Sequence, residues 1–149
     1  MAKAVAKINV ERVLGGGFVA GLILFAAAYI VNGQLYKTQW AGWMQAMRGH
    51  IHPPAINTAM FLWLALNILL GILGVTLYAS IRPRFGKGPK TAVLAGLLLW
   101  LASQAPALLD RKALGILPES IVNGQFLTSL VAMVIAVFVG AWIYKEGSR

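Results

Sequence analysis

Arg82-Pro83-Arg84-Phe85-Gly86-Lys87-Gly88-Pro89-Lys90 is the stretch on which the fold turns. It gathers four cations, two prolines and two glycines, a composition that reverses a backbone and that hydrocarbon excludes. On both sides of it the charges stop. Residues 49–81 before it and 91–109 after it contain no Asp, Glu, Lys or Arg. A helix rises about 1.5 Å per residue and a bilayer core is about 30 Å thick, so some 20 apolar residues cross it. The stretch is therefore a hairpin between two membrane helices, too polar to enter lipid itself.

Two further charge-free runs, 13–36 and 120–144, lie outward of this pair. The chain of 149 residues is 59% hydrophobic and 11% charged, and its mean hydropathy is +0.74. Soluble domains are about 45–50% apolar and about 25% charged, so a soluble globule is excluded. The expectation is an all-α membrane protein, a four-transmembrane-helix bundle forming a single polytopic domain over residues 1–149. Its spans are placed at about 13–31, 57–81, 91–109 and 120–144. An apolar first segment preceded by Lys3, Lys7 and Arg12 also has the flavour of a signal peptide, but it continues through Tyr29-Ile30-Val31. An h-region is only about 7–15 residues long, so the segment is read as a retained helix. The net charge of +9 belongs to loops flanking spans, which removes nucleic acid as a partner. With no cysteine, disulfides, thiolate metal sites and thiol nucleophiles are excluded.

The cations also set the threading. Nine of the thirteen Lys and Arg fall in the head, the 82–90 hairpin and the tail, against four (Lys37, Arg48, Arg111, Lys112) in the other two loops. By the positive-inside rule both termini are cytoplasmic. Tyr78, Trp142 and Tyr144 then mark the cytoplasmic interface, and Tyr29, Tyr36, Trp40 and Trp43 the outer one.

In the first outer loop Trp40, Trp43, Met44 and Met47 recur at i, i+3, i+4 and i+7. That spacing predicts a short helix over about 38–48 lying in the interface, with all four side chains on one face and Thr38 as its N-cap. These four residues are the candidate partner contact. Asn32-Gly33 is read as a C-cap closing the first span, and Ser120 as the cap opening the last.

The halves of the chain echo each other. Val19-Ala20-Gly21-Leu22-Ile23-Leu24-Phe25 aligns with Leu94-Ala95-Gly96-Leu97-Leu98-Leu99-Trp100, and Gly74-Val75-Thr76-Leu77-Tyr78 with Gly140-Ala141-Trp142-Ile143-Tyr144. This suggests a tandem helical-hairpin repeat, with chance similarity between Leu/Ala/Gly-rich helices as the competing reading. Ile-Val-Asn-Gly-Gln also occurs twice, at 30–34 and 121–125, outside that alignment. Gly17, Gly21, Gly71, Gly74 and Gly96 are the candidate helix-packing positions, since glycine lets helices in lipid approach closely.

For chemistry the chain has little material. No charge falls within a span, which argues against proton relays and ion-coupled carriers. Four acidic residues, all in loops or ends, form no catalytic pair, and the expectation is a protein that is not an enzyme and takes no cofactor. His50 and His52 form an H-x-H pair without a third ligand, a weak metal candidate. Asn67, Gln104, Asn123 and Gln125 either bond between helices or line a polar cavity. Arg82, Arg84, Lys87 and Lys90 are candidate ligands for anionic lipid headgroups.

Ile81-Arg82-Pro83-Arg84-Phe85-Gly86-Lys87-Gly88-Pro89-Lys90-Thr91-Ala92, with the opening Ile8-Asn9-Val10-Glu11-Arg12-Val13-Leu14-Gly15-Gly16 and the closing Gly140-Ala141-Trp142-Ile143-Tyr144-Lys145-Glu146, resembles a family of small uncharacterised four-helix bacterial integral membrane proteins. The R-P-R-F-G-x-G-P-K hairpin is the specific part of the likeness. The resemblance implies a multi-pass protein of the bacterial cytoplasmic (inner) membrane, with no activity attached, and a Trp-rich outer segment particular to this chain. The function expected is that of an accessory or scaffold subunit packing against lipid and other membrane-protein subunits or itself. The alternative is a small homo-oligomeric carrier or channel for a neutral solute.

Overall fold

The computed structural model describes residues 8–144. Lys3, Lys7, Lys145, Glu146 and Arg149, which enter the charge balance above, lie outside the described residues. The architecture is all-helical: α1 (Val10–Ile30), α2 (Lys37–Ala46), α3 (Ile56–Phe85), α4 (Pro89–Ala113) and α5 (Glu119–Ile143). A π-helical turn, Val31–Leu35, prolongs α1 without a break. Four segments, Val10–Leu35, Ile56–Phe85, Pro89–Ala113 and Glu119–Ile143, are long and apolar enough to cross a membrane.

Among the described residues, charges stand only in the first and last turns of these four helices. Glu11 and Arg12 open α1, Arg82 and Arg84 close α3, and Asp110, Arg111 and Lys112 close α4. Outward faces are mostly apolar: Phe61, Trp63, Leu127 and Trp142 are all exposed, the last to 81%. So much exposed apolar surface suits lipid, and a soluble monomer rarely carries it.

α1 packs on α3 and α5, α4 packs on α5 and α3, and α3 meets α5 across the middle, so that α1 and α4 occupy opposite corners. The core between them is built from small and branched residues, with Ala20, Val75, Ala95, Ala136 and Val137 completely buried. Glycines set the distances between the helices. A Cβ on Gly17 would meet the Ile72 backbone at 2.5 Å, and one on Gly16 the Gly140 carbonyl at 2.5 Å. A Cβ on Gly71 would strike Gly17 and Gly21, and one on Gly21 the backbone of Ile68. Gly74 lies under Val137 and Leu99, and Gly96 under the Val134 backbone. In lipid, where apolar contact with a helix is no better than apolar contact with a tail, such closeness is what favours association.

The described ends of the chain and the α3–α4 turn share one end of the bundle. There the Tyr144 hydroxyl accepts from the Asn9 backbone N–H at 3.4 Å, the Tyr144 ring stands edge-on to Tyr78 at 6.1 Å, and the Arg82 guanidinium lies 5.6 Å from its centroid. α2 and the α4–α5 connection lie at the other end, joined by a bond from Trp43 to Ile116.

Several boundaries differ from those expected. The Arg82–Lys90 hairpin contracts to Gly86-Lys87-Gly88, because α3 runs through Pro83 to Phe85 and α4 starts at Pro89. Pro83 has a helical φ, and one turn from the helix end its missing N–H costs only the bond to the Ala79 carbonyl. Pro89 occupies the first helical position, where no N–H is needed. Gly88, at φ +143°, makes the reversal that other residues resist, and Thr91 Oγ1 donates to the Gly86 carbonyl at 2.8 Å to fasten the turn. α1 starts at Val10 rather than 13 because the Asn9 side chain caps it, accepting from the Arg12 N–H at 3.1 Å. α4 continues past 109 to Ala113, stopped by Gly115 at φ +63°. Neither expected serine/threonine cap operates: α2 starts at Lys37, ahead of Thr38, and α5 at Glu119, ahead of Ser120, both without a side-chain capping bond.

Candidate functional site at the α2 end

Asn32-Gly33 does not end the first helix, and the structure overturns that reading. The backbone passes through both residues in the π-helical turn, and Gly33 keeps a negative φ. The extra residue that a π turn inserts re-aims the side chains beyond it, a device that recurs at functional positions. Here it directs Tyr36 onto α5, where the phenol fills the space a side chain at Gly124 would take. Asn32, within the turn, becomes a junction. Its Nδ2 donates to the Ala28 carbonyl at 2.9 Å, while its Oδ1 accepts from Gln125 Nε2 at 2.6 Å and from Trp40 Nε1 at 3.1 Å. The two Ile-Val-Asn-Gly-Gln copies therefore meet, the Asn of one bonded to the Gln of the other.

α2 is held down by both indoles. Trp40 reaches Asn32, and Trp43 Nε1 donates to the Ile116 carbonyl at 2.8 Å in the α4–α5 connection. The rings stand edge-to-face at 5.6 Å. Trp40, Trp43 and Met47 are half-buried, whereas Met44 is 40% exposed. Met44 lines a half-open cleft of about 360 Å3 together with Ala41 and Gln45 of α2 and Arg48, Gly49, Ile51 and Pro53 of the segment that follows it. Gly49, at φ +89°, folds the chain back; His50 N–H and Ile51 N–H both return to the Met47 carbonyl, at 2.9 and 3.3 Å.

The four amides considered for a polar cavity are not joined by a common hydrogen-bond network. Asn67 donates to Trp63 of its own helix at 2.8 Å. Asn123 accepts from Lys112 Nζ at 3.1 Å, and Gln125 is engaged with Asn32. Gln104 is half-buried on α4, one turn beyond Trp100. Trp100 itself supplies a contact that the sequence did not single out: its Nε1 donates to Ser129 Oγ at 2.9 Å and its ring meets Phe126 edge-on at 4.7 Å, tying α4 to α5.

His50 and His52 are exposed on the return loop, and among the described residues no group of three or more His, Cys, Asp or Glu is placed to hold a metal ion. Arg84, Lys87 and Lys90 are exposed around the α3–α4 turn at the opposite end, with Arg82 half-buried against Tyr144. Comparison of the chain with family models, with curated proteins and with solved structures finds no match.

Proposed function

We propose that this is a non-enzymatic multi-pass membrane protein with a structural role, an accessory or scaffold subunit that packs against other membrane proteins and lipid. The observation that carries the reading is how its intramembrane polarity is used. Asn67, Thr76, Ser80, Ser103 and Thr128 each bond to a carbonyl one turn back in their own helix, while Asn32, Gln125, Trp100 and Ser129 bond across helices. Little is left over to receive a solute, and the glycine contacts bring backbones together where a carrier needs room. In this reading both termini and the α3–α4 turn face the cytoplasm of a bacterial cell, with Arg82, Arg84, Lys87 and Lys90 at the anionic inner leaflet. α2 lies in the opposite interface, its Trp pair at headgroup depth.

A tandem hairpin repeat is part of the same proposal. In the alignment that pairs Gly21 with Gly96 and Gly74 with Gly140, Ile68 pairs with Val134. Gly21 packs on the Ile68 backbone and Gly96 on the Val134 backbone, so equivalent positions make equivalent contacts within α1–α3 and α4–α5. Across the halves, Gly74 touches α4 and α5 while Gly140 touches α1 and α3. Both observations support a duplication about an axis along the membrane normal.

The test is mild detergent extraction followed by native gel and mass analysis. Co-migration with unrelated subunits is expected. A clean homo-oligomer that passes a neutral solute across liposomes overturns the structural role in favour of a carrier.

A further inference from the structure

We infer that the cleft behind α2 is a headgroup site for an anionic phospholipid of the leaflet that α2 faces. The inference rests on the membrane-spanning reading above and adds a specific ligand to it. The cleft is lined by Ala41, Met44 and Gln45 of α2 and by the segment from Arg48 to Pro53, which the positive φ of Gly49 and two bonds to the Met47 carbonyl turn back beside the helix. Its volume of about 360 Å3 falls at the lower end of the roughly 300–1,000 Å3 common for small-ligand sites.

The lining decides the ligand. Arg48 is the one charged residue in it, Gln45 offers an amide beside it, and Met44, Ile51 and Pro53 are apolar. The matching molecule carries an anionic group for the guanidinium, an acceptor for the amide and an apolar body. With no carboxylate in the lining, the cleft has nothing to receive the cationic half of a zwitterionic headgroup, so an anionic lipid is preferred over phosphatidylcholine. Position agrees with this chemistry. Ile56, the exposed first residue of the α3 span, follows Pro53 by three positions, which puts the cleft mouth at the level where headgroups give way to acyl chains.

The experiment uses the full chain in a non-ionic detergent, titrated in separate arms with phosphatidylglycerol, phosphatidylcholine of the same acyl chains, and inorganic phosphate, with bound molecules counted by native mass spectrometry. Arg48→Gln is expected to weaken the binding of one phosphatidylglycerol per chain about fivefold, the factor one cation supplies at an anionic surface. Ile51→Glu, which places a carboxylate in the lining next to Arg48 while keeping the arginine, repels the anionic group, competes for the guanidinium and should weaken the same binding. Unchanged helical circular dichroism in both variants shows that the loss is local. Equal phosphatidylglycerol retention by the wild type and both variants overturns the site, as does phosphatidylcholine or inorganic phosphate binding there as tightly. A chain that stays soluble without detergent breaks the membrane reading itself, whereas one that needs detergent and ignores both substitutions breaks only the lipid site.

Discussion

Along α1 and α3 two backbones touch: Gly17 and Gly21 lie against Gly71, Ile72 and Ile68 so closely that not even a methyl group fits. At its far end the same α1 meets its neighbours through side chains, with one amide, Asn32, bonded to Gln125 on α5 and to Trp40 on α2. On the proposed placement in a membrane the difference follows from the surroundings. Within hydrocarbon there is no water to exclude, so shape and close approach distinguish a helix partner from a lipid tail. Near a headgroup layer water competes for every hydrogen bond, and a single bond contributes little. Convergence of two donors, Gln125 and Trp40, on the one acceptor Asn32, with the Tyr36 phenol seated at Gly124 beside it, gives the α2 end a defined geometry.

If this division is right, substitutions in the seam should cost more than those at the α2 end. The largest effect is expected for Gly71→Leu, whose side chain has backbone rather than a movable side chain in front of it. About 3 kcal/mol of stability should be lost, read by denaturant titration of helicity in mixed micelles. Gly96→Ala meets the Val134 backbone at 2.8 Å, a milder overlap, and should cost about 1 kcal/mol in the same titration. A loss of the same size for Gly21→Ala, the position aligned with Gly96, would argue that the two hairpins are packed to the same tightness and would strengthen the repeat.

Asn32→Ala removes an acceptor shared by two donors and should cost about 1–2 kcal/mol, with hydrogen exchange rising in α2 while α3 and α4 stay protected. If α3 and α4 loosen as well, the α2 end is part of the bundle's cooperative core and the contrast fails. The smallest effect belongs to Trp43→Phe, which keeps a smaller aromatic ring and deletes the indole bond to Ile116. About 0.6 kcal/mol is expected, detected as faster proteolysis at the 49–54 return loop.

Much of this fold was legible in the chain because charge is so costly in lipid. Four charge-free runs give four spans, and the Arg82–Lys90 composition gives the turn between the second and third. Boundaries were read less well, for identifiable reasons. Counting charges ended α3 at Ile81, but Arg82 and Arg84 extend from a helix whose backbone ignores them, and the true stop is Gly86 at φ +85°. Gly115 at φ +63° is a similar stop: counting charges ends α4 at Leu109, but Asp110, Arg111 and Lys112 extend from a helix that continues to Ala113.

The candidate site was legible only in fragments. The Trp/Met spacing located α2, and the repeated Ile-Val-Asn-Gly-Gln located both halves of the Asn32–Gln125 bond. Nothing in the spacing could reveal that the first copy is a π-helical turn, since one extra residue per turn is a choice made by tertiary partners: Tyr36 finding Gly124, and Asn32 finding Gln125. Met44 is more exposed than the tryptophans for a related reason: periodicity predicts one face, but which part of that face is covered depends on the segments packed against α2.

The sequence by itself determined that four helices are long and apolar enough to cross a membrane, and what their turns are made of, because each follows from a local cost: a charge in an apolar run, a missing N–H, a positive φ. Tertiary structure decided which helices touch, where the first span bends from α to π, and that a cleft with Arg48 at its wall opens behind α2. Those depend on what lies opposite each residue across space, which the order of the chain does not state.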